Sequence, residues 1–377
     1  MKYRKLCKNG EDVSIIGLGG EFLFEKPTKT VVDVISASIE GGMNYLDCFM
    51  PWPKLRDDIG LALKGRRDKM MVAGHLGTMV NPDGQYHRTR DMEISRRYFE
   101  DLFTRLHTDY IDILQFHFID KYSDYEQVFE GEFLEYAHKL KKQGRIRHIG
   151  ISSHMPLAAL KAVESGEIDV VMFSVNPAFD MIFEKDDFDE FYHNEFKKGD
   201  TIQLGKRNPA RQKLYAECER RGVGIVTMKT YGGGHLITRG VMTAVQAIQY
   251  ALDQPGVVSA LPGCQSVYEV EQALAYLDAT DEQRDYTKVF ANGQWDYQGV
   301  CMYCGHCMPC PSKVDVAAVT KQLHAAQEGM TDVIRESYAQ LEKHAEDCVE
   351  CKACVARCPF DVDIMKNIRA ARELFGY

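Results

Sequence analysis

Short apolar runs alternate with amphipathic stretches through the first 280 residues. Continuous runs of Val, Ile, Leu, Met and Phe at 13–18, 43–48, 70–74, 110–117, 147–152, 169–175, 223–229 and 257–262 predict strands buried on both faces. Apolar positions at helical spacing predict helices over 28–40, 54–65, 91–107, 126–143, 156–165, 208–221, 241–253 and 266–278. This is an α/β pattern, and eight strands each followed by a helix make the count of a (β/α)8 TIM barrel. An open doubly wound sheet would want G-x-G-x-x-G after its first strand, and Gly17-Leu18-Gly19-Gly20 supplies only the start of it. Asn9-Gly10 predicts a hairpin turn ahead of the first strand, capping the barrel's bottom. Beyond 300 the pattern becomes helical, with two helices over 314–345 parted at Gly329-Met330 and a third over 361–375.

In such a barrel, chemistry sits where strands end and loops begin. The second, third and fourth strands end at Asp47, His75 and His117. A carboxylate beside two imidazoles can move protons at neutral pH, so these three are the candidate catalytic residues. The same trio has the composition of a 2-His-1-carboxylate metal site. Tyr86, His87 and Lys229 are further candidate proton donors. Strand five ends in Ser152-Ser153-His154, and strand seven ends at Lys229, followed by Tyr231-Gly232-Gly233-Gly234. Glycine amides after strand seven suit a phosphate. Ser152, Lys229, Gly232 and Gly233 are therefore the candidate cofactor contacts. The long connections 76–90, 118–125 and 177–207 are expected to cover a substrate pocket.

Cysteine usage changes the picture. Of 12 cysteines, eight fall between 301 and 358, which puts a domain boundary between 1–285 and 286–377. Cys348, Cys351, Cys354 and Cys358-Pro359 have the C-x₂-C-x₂-C-x₃-C-P spacing of [4Fe–4S] ligation. Cys301, Cys304, Cys307 and Cys310-Pro311 form a similar run with one residue fewer before the fourth cysteine. The fourth cysteine of such a run commonly serves the other cluster. The expected sets are Cys301, Cys304, Cys307 and Cys358, and Cys348, Cys351, Cys354 and Cys310. Zinc also takes four thiolates and is the alternative metal. A net charge of −9 without a basic block argues against nucleic acid or an anionic membrane as partner. No apolar run approaches the ~20 residues that span a bilayer. The N-terminus lacks a signal-peptide core, so the expectation is a cytoplasmic protein.

The barrel segments resemble the aldo-keto reductase family. The resemblance rests on Ile16-Gly17-Leu18-Gly19, Gly42-Met43-Asn44-Tyr45-Leu46-Asp47, Asp109 through His117, Ile146 through Ser152, and Gln254-Pro255-Gly256 through Pro262-Gly263. The tail resembles an α-helical ferredoxin domain, and the whole chain resembles the iron–sulfur branch of that family. The family implies NADPH at the loop face and reduction of carbonyls. It also implies a catalytic set of Asp, Tyr, Lys and His. Asp47 and His117 match the Asp and His, whereas Trp52 stands at the Tyr position and His75 at the Lys position. An indole cannot supply a hydroxyl proton. The nicotinamide-holding Gln and ring-stacking aromatic align with Met172 and Met228. The segment from Cys264 to Glu269 has no Lys or Arg for a 2′-phosphate.

The expected function is an iron–sulfur oxidoreductase acting on a small organic substrate at the loop face. Its cofactors are two [4Fe–4S] clusters with NADP(H). A flavin would be the switch between hydride and single electrons. A redox partner such as ferredoxin fits this reading. The alternatives are an electron-transfer protein serving a partner enzyme, and a non-redox isomerase or lyase with structural clusters.

Overall fold

The structure, a computed structural model, describes residues 1–82, 84–181, 208–290, 299 and 301–376. Eight parallel strands form one sheet in sequential order: β1 (Leu18–Gly19), β2 (Tyr45–Cys48), β3 (Met71–Leu76), β4 (Ile111–Phe116), β5 (Ile146–Ser153), β6 (Val170–Ser174), β7 (Gly224–Met228) and β8 (Val257–Ala260). Their ends join: Gly17 N donates to Ala260 O at 2.9 Å, and Gly19 N donates to Pro262 O at 2.9 Å. Bridges Ile16–Ala260 and Gly19–Gly263 complete the closure. Closure leaves no unpaired edge and buries strands on both faces, which is why they read as unbroken apolar runs. Helices such as Thr28–Glu40, Pro156–Ser165 and Pro209–Arg221 cover the outside.

Two predicted elements differ. The run at 13–18 divides, with Asp12–Ser14 pairing antiparallel to Tyr3–Lys5 and only Leu18–Gly19 entering the barrel. The reason is packing: Leu6 and Val13 fill the barrel interior beside Tyr45, Ile113, Val170 and Val226, plugging its bottom. The helix expected over 126–143 is two, Tyr122–Phe129 and Glu132–Lys142. Gly131, between them, leaves the helical backbone region at φ −131°. Most of the connection 177–207 lies outside the described residues.

The C-terminal region is helical: Val316–Gln327, Asp332–Ala339, Ala353–Arg357 and Ile364–Phe375. It anchors on the helices that precede β7 and β8. Gln322 Nε2 donates to Glu219 Oε1 at 2.9 Å, Thr331 Oγ1 donates to Arg220 O, and Tyr286 Oη lies 2.8 Å from Asp253 Oδ2 and 3.1 Å from Met302 O. Glu219, Arg220 and Asp253 are at the C-terminal ends of those helices. Such ends lie at the N-terminal ends of the strands, opposite the catalytic face of a barrel. Among the described residues, no helix is long and apolar enough to cross a membrane.

The bottom plug is held by charge. His148 Nε2 lies 2.7 Å from Glu11 Oε2, and its Nδ1 lies 3.5 Å from Asp169 Oδ2 and 3.8 Å from Cys7 Sγ. Burial would lower the His148 pKa, but bonds to Asp169, Cys7 and Glu11 outweigh it and raise it to about 10. A histidine raised from ~6.5 contributes stability that is complete below ~6.5 and is lost as pH climbs through the folded value. Chemical denaturation across pH 6 to 10 therefore shows wild-type stability falling on the alkaline side. In His148→Gln that fall is smaller.

A further test lies at the first residue of β7. A Cβ on Gly224 would sit 1.7 Å from Leu6 O, a backbone atom that cannot swing away. Gly224→Ala is expected to lose about 1–3 kcal/mol by overpacking. A denaturation midpoint unchanged from wild type contradicts this packing of the plug.

Candidate active site

Strand register brings the candidate catalytic residues together. Asp47 of β2 lies across from Ala73 of β3, and His75 of β3 lies across from Gln115 of β4, two residues before His117. At these strand ends His75 Nε2 lies 2.9 Å from Asp47 Oδ1, and His75 Nδ1 lies 2.8 Å from His117 Nδ1. The hydroxyl of Tyr86 bonds to His117 Nε2. Carboxylate, two imidazoles and phenol thus form one continuous hydrogen-bonded file. All of Asp47, His75 and His117 are buried.

One set of tautomers satisfies every link. His75 Nε2–H donates to Asp47, which leaves its Nδ1 as acceptor for His117 Nδ1–H, and His117 Nε2 then accepts from Tyr86. Burial, then the positive fields of His75, Arg90 and Arg88, hold the His117 pKa well below the ordinary histidine value. His117 is therefore neutral near pH 7. Both nitrogens of His75 face other members of the file. The three residues form a line and do not converge on a point, which does not suit the metal-site reading of this trio.

Aromatic rings wall the file. Phe49 lies parallel to the His117 ring at 5.6 Å and edge-on to Tyr86 at 5.8 Å. Trp52 stacks on Phe24 at 3.7 Å, and its Nε1 donates to Gly84 O at 2.9 Å. Tyr86 itself rides on a two-stranded ribbon after β3, in which Thr78–Val80 pairs with Tyr86–Arg88.

Beside the file a cavity of about 790 Å³ opens at the ends of β1, β2, β7 and β8. Asp47 belongs to both. Lys229 and Gly233 line the cavity together with Glu21, Met172, Met228, Tyr231 and Glu269. Lys229 Nζ pairs with Glu21 Oε2 at 3.1 Å across the barrel seam. The Tyr231 hydroxyl is buried without a hydrogen-bond partner among the described residues. Of the expected cradle, the Gly232 amide donates to Lys229 O at 2.7 Å and the Gly234 amide to Tyr231 O at 3.0 Å. Gly232 and Ser152 are outside the lining. Ser152 Oγ accepts from Phe118 N at 2.9 Å and lies 3.4 Å from His117 Nδ1.

In the C-terminal region Cys301, Cys304, Cys307 and Cys358 surround one small cavity. Cys310, Cys348, Cys351 and Cys354 surround another. None of these thiols is in a disulfide. Arg357 joins the two runs by donating to Cys307 O at 2.7 Å and Pro309 O at 2.6 Å.

Residues 16–240 match the aldo/keto reductase family. The chain belongs to that family. Residues 300–363 match a 4Fe-4S dicluster domain, which supports iron–sulfur clusters in the cysteine-rich region. Among curated relatives, the uncharacterized oxidoreductase YqkF of Bacillus subtilis is 32% identical over 178 residues, covering 46% of this chain and 55% of YqkF. The aldo-keto reductase YhdN of Bacillus subtilis is 27% identical over 162 residues, covering 41% of this chain and 47% of YhdN. The chain thus spans about half the length of these relatives. The aldo-keto reductase AKR11C1 from Bacillus halodurans has the same barrel, with a TM-score of 0.58 at 22% identity over 77% of this chain and 96% of that one.

Within this aldo/keto reductase barrel, three contributors escaped the sequence reading in whole or part. Tyr86 was one candidate donor among several, because nothing local shows that residues 78–88 fold into a ribbon. Glu21 and the Tyr231 hydroxyl reach the cavity only because β1 and β7 converge there through barrel closure.

Proposed function

We propose that the chain is an iron–sulfur oxidoreductase of the aldo-keto reductase type that interconverts a carbonyl and an alcohol on a small organic substrate at the barrel mouth. The observation that carries this reading is the unbroken file from Asp47 through His75 to His117 beside a cavity of about 790 Å³. The roles are separable. Asp47 fixes the His75 tautomer and balances a proton held there. His117, kept neutral by burial, passes a proton from one ring nitrogen to the other without trapping it.

A nicotinamide dinucleotide fits the cavity in size, and the unpartnered Tyr231 hydroxyl would gain a partner from it. Lys229 and Gly233 are the contacts on the β7 side. When bound, such a cofactor supplies the hydride for carbon. A 2′-phosphate would add a further charge to the anionic diphosphate of such a cofactor. Among the described residues, Asp47, Glu21 and Glu269 line the cavity beside one cation, Lys229, which is paired with Glu21. Carboxylates suit a ribose 2′-hydroxyl and repel a phosphate.

The two thiol groups suit two [4Fe–4S] clusters, one on Cys301, Cys304, Cys307 and Cys358 and one on Cys310, Cys348, Cys351 and Cys354. Clusters carry electrons singly. Cys351 is exposed, which favours exchange of electrons with a separate redox partner such as ferredoxin at that edge. The units are a barrel over 1–285 and a cluster domain over 286–377, in a cytoplasmic protein.

Three measurements test this reading. Anaerobic fluorescence titration is expected to show saturable binding with NADH about tenfold tighter than NADPH. Tighter NADPH overturns the charge argument, and no binding of either removes the nicotinamide. Cluster bleaching by the nucleotide would place a flavin between hydride and clusters. His117→Ala is expected to lose at least ~10²-fold in kcat with cluster absorbance unchanged. Retained turnover moves the chemistry to a partner enzyme. Cys358→Ser and Cys310→Ser are each expected to cost about half the bound iron. Paramagnetic resonance is expected to show a different surviving cluster in each. The same surviving cluster in both overturns the exchange of fourth ligands.

A further inference from the structure

We propose that Tyr86 is the proton donor that meets the substrate, and that Trp52 is a positioning residue that holds the Tyr86 ribbon in place. This rests on the oxidoreductase reading above. The position five residues after Asp47 lacks a hydroxyl, since Trp52 occupies it. Yet the file that lines the cavity at Asp47 ends in a phenol, Tyr86, carried by the ribbon after β3.

The ribbon is braced at every side that faces the site. Thr89 N donates to Gly77 O at 2.9 Å and closes its base. Tyr98 Oη donates to Val80 O at 3.0 Å from the neighbouring helix. The Arg88 guanidinium lies 3.5 Å over the Phe118 ring, and Arg90 donates to His117 O at 3.0 Å and to Phe118 O at 2.9 Å. At the turn, the Trp52 indole donates to Gly84 O at 2.9 Å, two residues before Tyr86. Trp52 therefore ties the β2 loop to the ribbon that carries the phenol. Its own ring rests on Phe24 and faces Tyr86 at 6.4 Å. A surface aromatic pair would need none of this bracing.

The file has two directional states that differ by one proton. In the first, Tyr86 donates to His117, His117 to His75, and His75 to Asp47. In the second, His75 carries an added proton against the Asp47 carboxylate. It then donates through Nδ1 to His117 Nδ1, and His117 Nε2–H donates to the Tyr86 oxygen, which frees the Tyr86 O–H for the substrate. In carbonyl reduction a hydride from a nicotinamide-class donor adds to carbon. The Tyr86 O–H bond breaks and an O–H bond forms on the substrate oxygen. The proton on His117 Nε2 moves to the Tyr86 oxygen, and the His75 Nδ1 proton moves to His117 Nδ1. His75 ends neutral and Asp47 remains a carboxylate, so one hydride and one proton have been added across the C=O. Alcohol oxidation runs the same steps backward. His117 is neutral in both states and only exchanges tautomers, in keeping with its depressed pKa.

The test uses the cluster-loaded full chain, with p-nitrobenzaldehyde and NADH as the probe pair. Tyr86→Phe keeps the ring against Phe49 and removes only the hydroxyl. It is expected to lower kcat about 10²-fold or more, with KM nearly unchanged and the alkaline limb of the pH profile lost. Trp52→Phe keeps an aromatic ring and removes the indole N–H. It is expected to lower kcat about tenfold at similar KM with the alkaline limb retained, because the phenol is still present but less well held. Wild-type kcat and pH profile in Tyr86→Phe overturn the proposal. An alkaline limb lost in Trp52→Phe overturns the positioning role. A second readout needs no turnover: the phenol ionisation of Tyr86, taken as the ultraviolet difference between wild type and Tyr86→Phe. It is expected to shift in His117→Gln, and an ionisation indifferent to His117 overturns the file. If wild type does not reduce the probe, the carbonyl reading fails by itself, and the phenol titration decides the coupling of Tyr86 to His117.

Discussion

The hydrogen-bond register of three adjacent parallel strands is the constraint on which the site depends. Neighbouring strands stand ~4.8 Å apart. A side chain at the end of one strand can therefore reach a side chain at the end of the next, and no further. Asp47, His75 and His117 each end one of β2, β3 and β4, and each bonds to the next along the file. A shift of one residue in β3 would turn His75 out of the barrel and break the file at its middle. The apolar interior enforces that register, since Tyr45, Ala73 and Ile113 must point inward together.

The two ends of the barrel are built for different work. The bottom is plugged by Leu6 and Val13 and clamped by Glu11, His148 and Asp169. The cluster domain anchors there, through Glu219, Arg220 and Asp253. The mouth holds the proton file and the large cavity. Strands β3, β4, β6 and β7, of five or six residues each, separate the ends by about 17–20 Å. The hydrogen-bonded file at the mouth is thereby set apart from the region that anchors the cysteine-rich domain, in which Cys351 faces solvent.

The charges of the mouth are as selective as its shape. Glu21, from the loop after β1, holds Lys229 across the seam and adds its carboxylate to those of Asp47 and Glu269. Among the described residues, carboxylates thus outnumber cations in the lining of the cavity. The Tyr231 hydroxyl is the opposite case, a buried polar group that a ligand would satisfy.

Local chemistry made much of this protein legible. Doubly buried strands must be apolar along their length, so the eight runs announced a covered parallel sheet. Cysteine runs at short spacing can only be metal ligands or waste. Asp47, His75 and His117 stood out because polar residues at the ends of apolar runs are costly unless hydrogen-bonded, and the structure links the three. What the sequence could not show was anything made by distant segments meeting. The split of residues 13–18 follows from which side chains fill the barrel's bottom, a matter of volume across the whole ring. Tyr86 reaches His117 only because Thr78–Val80 pairs with Tyr86–Arg88 and the Trp52 indole bonds Gly84. The grouping of Cys358 with the first run, and Cys310 with the second, is the exception, since the spacing of the paired runs already led to that expectation and the linings of the two small cavities agree with it. Periodicity and composition act over a few residues and are written in the chain. Register, closure and convergence act between residues far apart in it, and only the tertiary structure decided them.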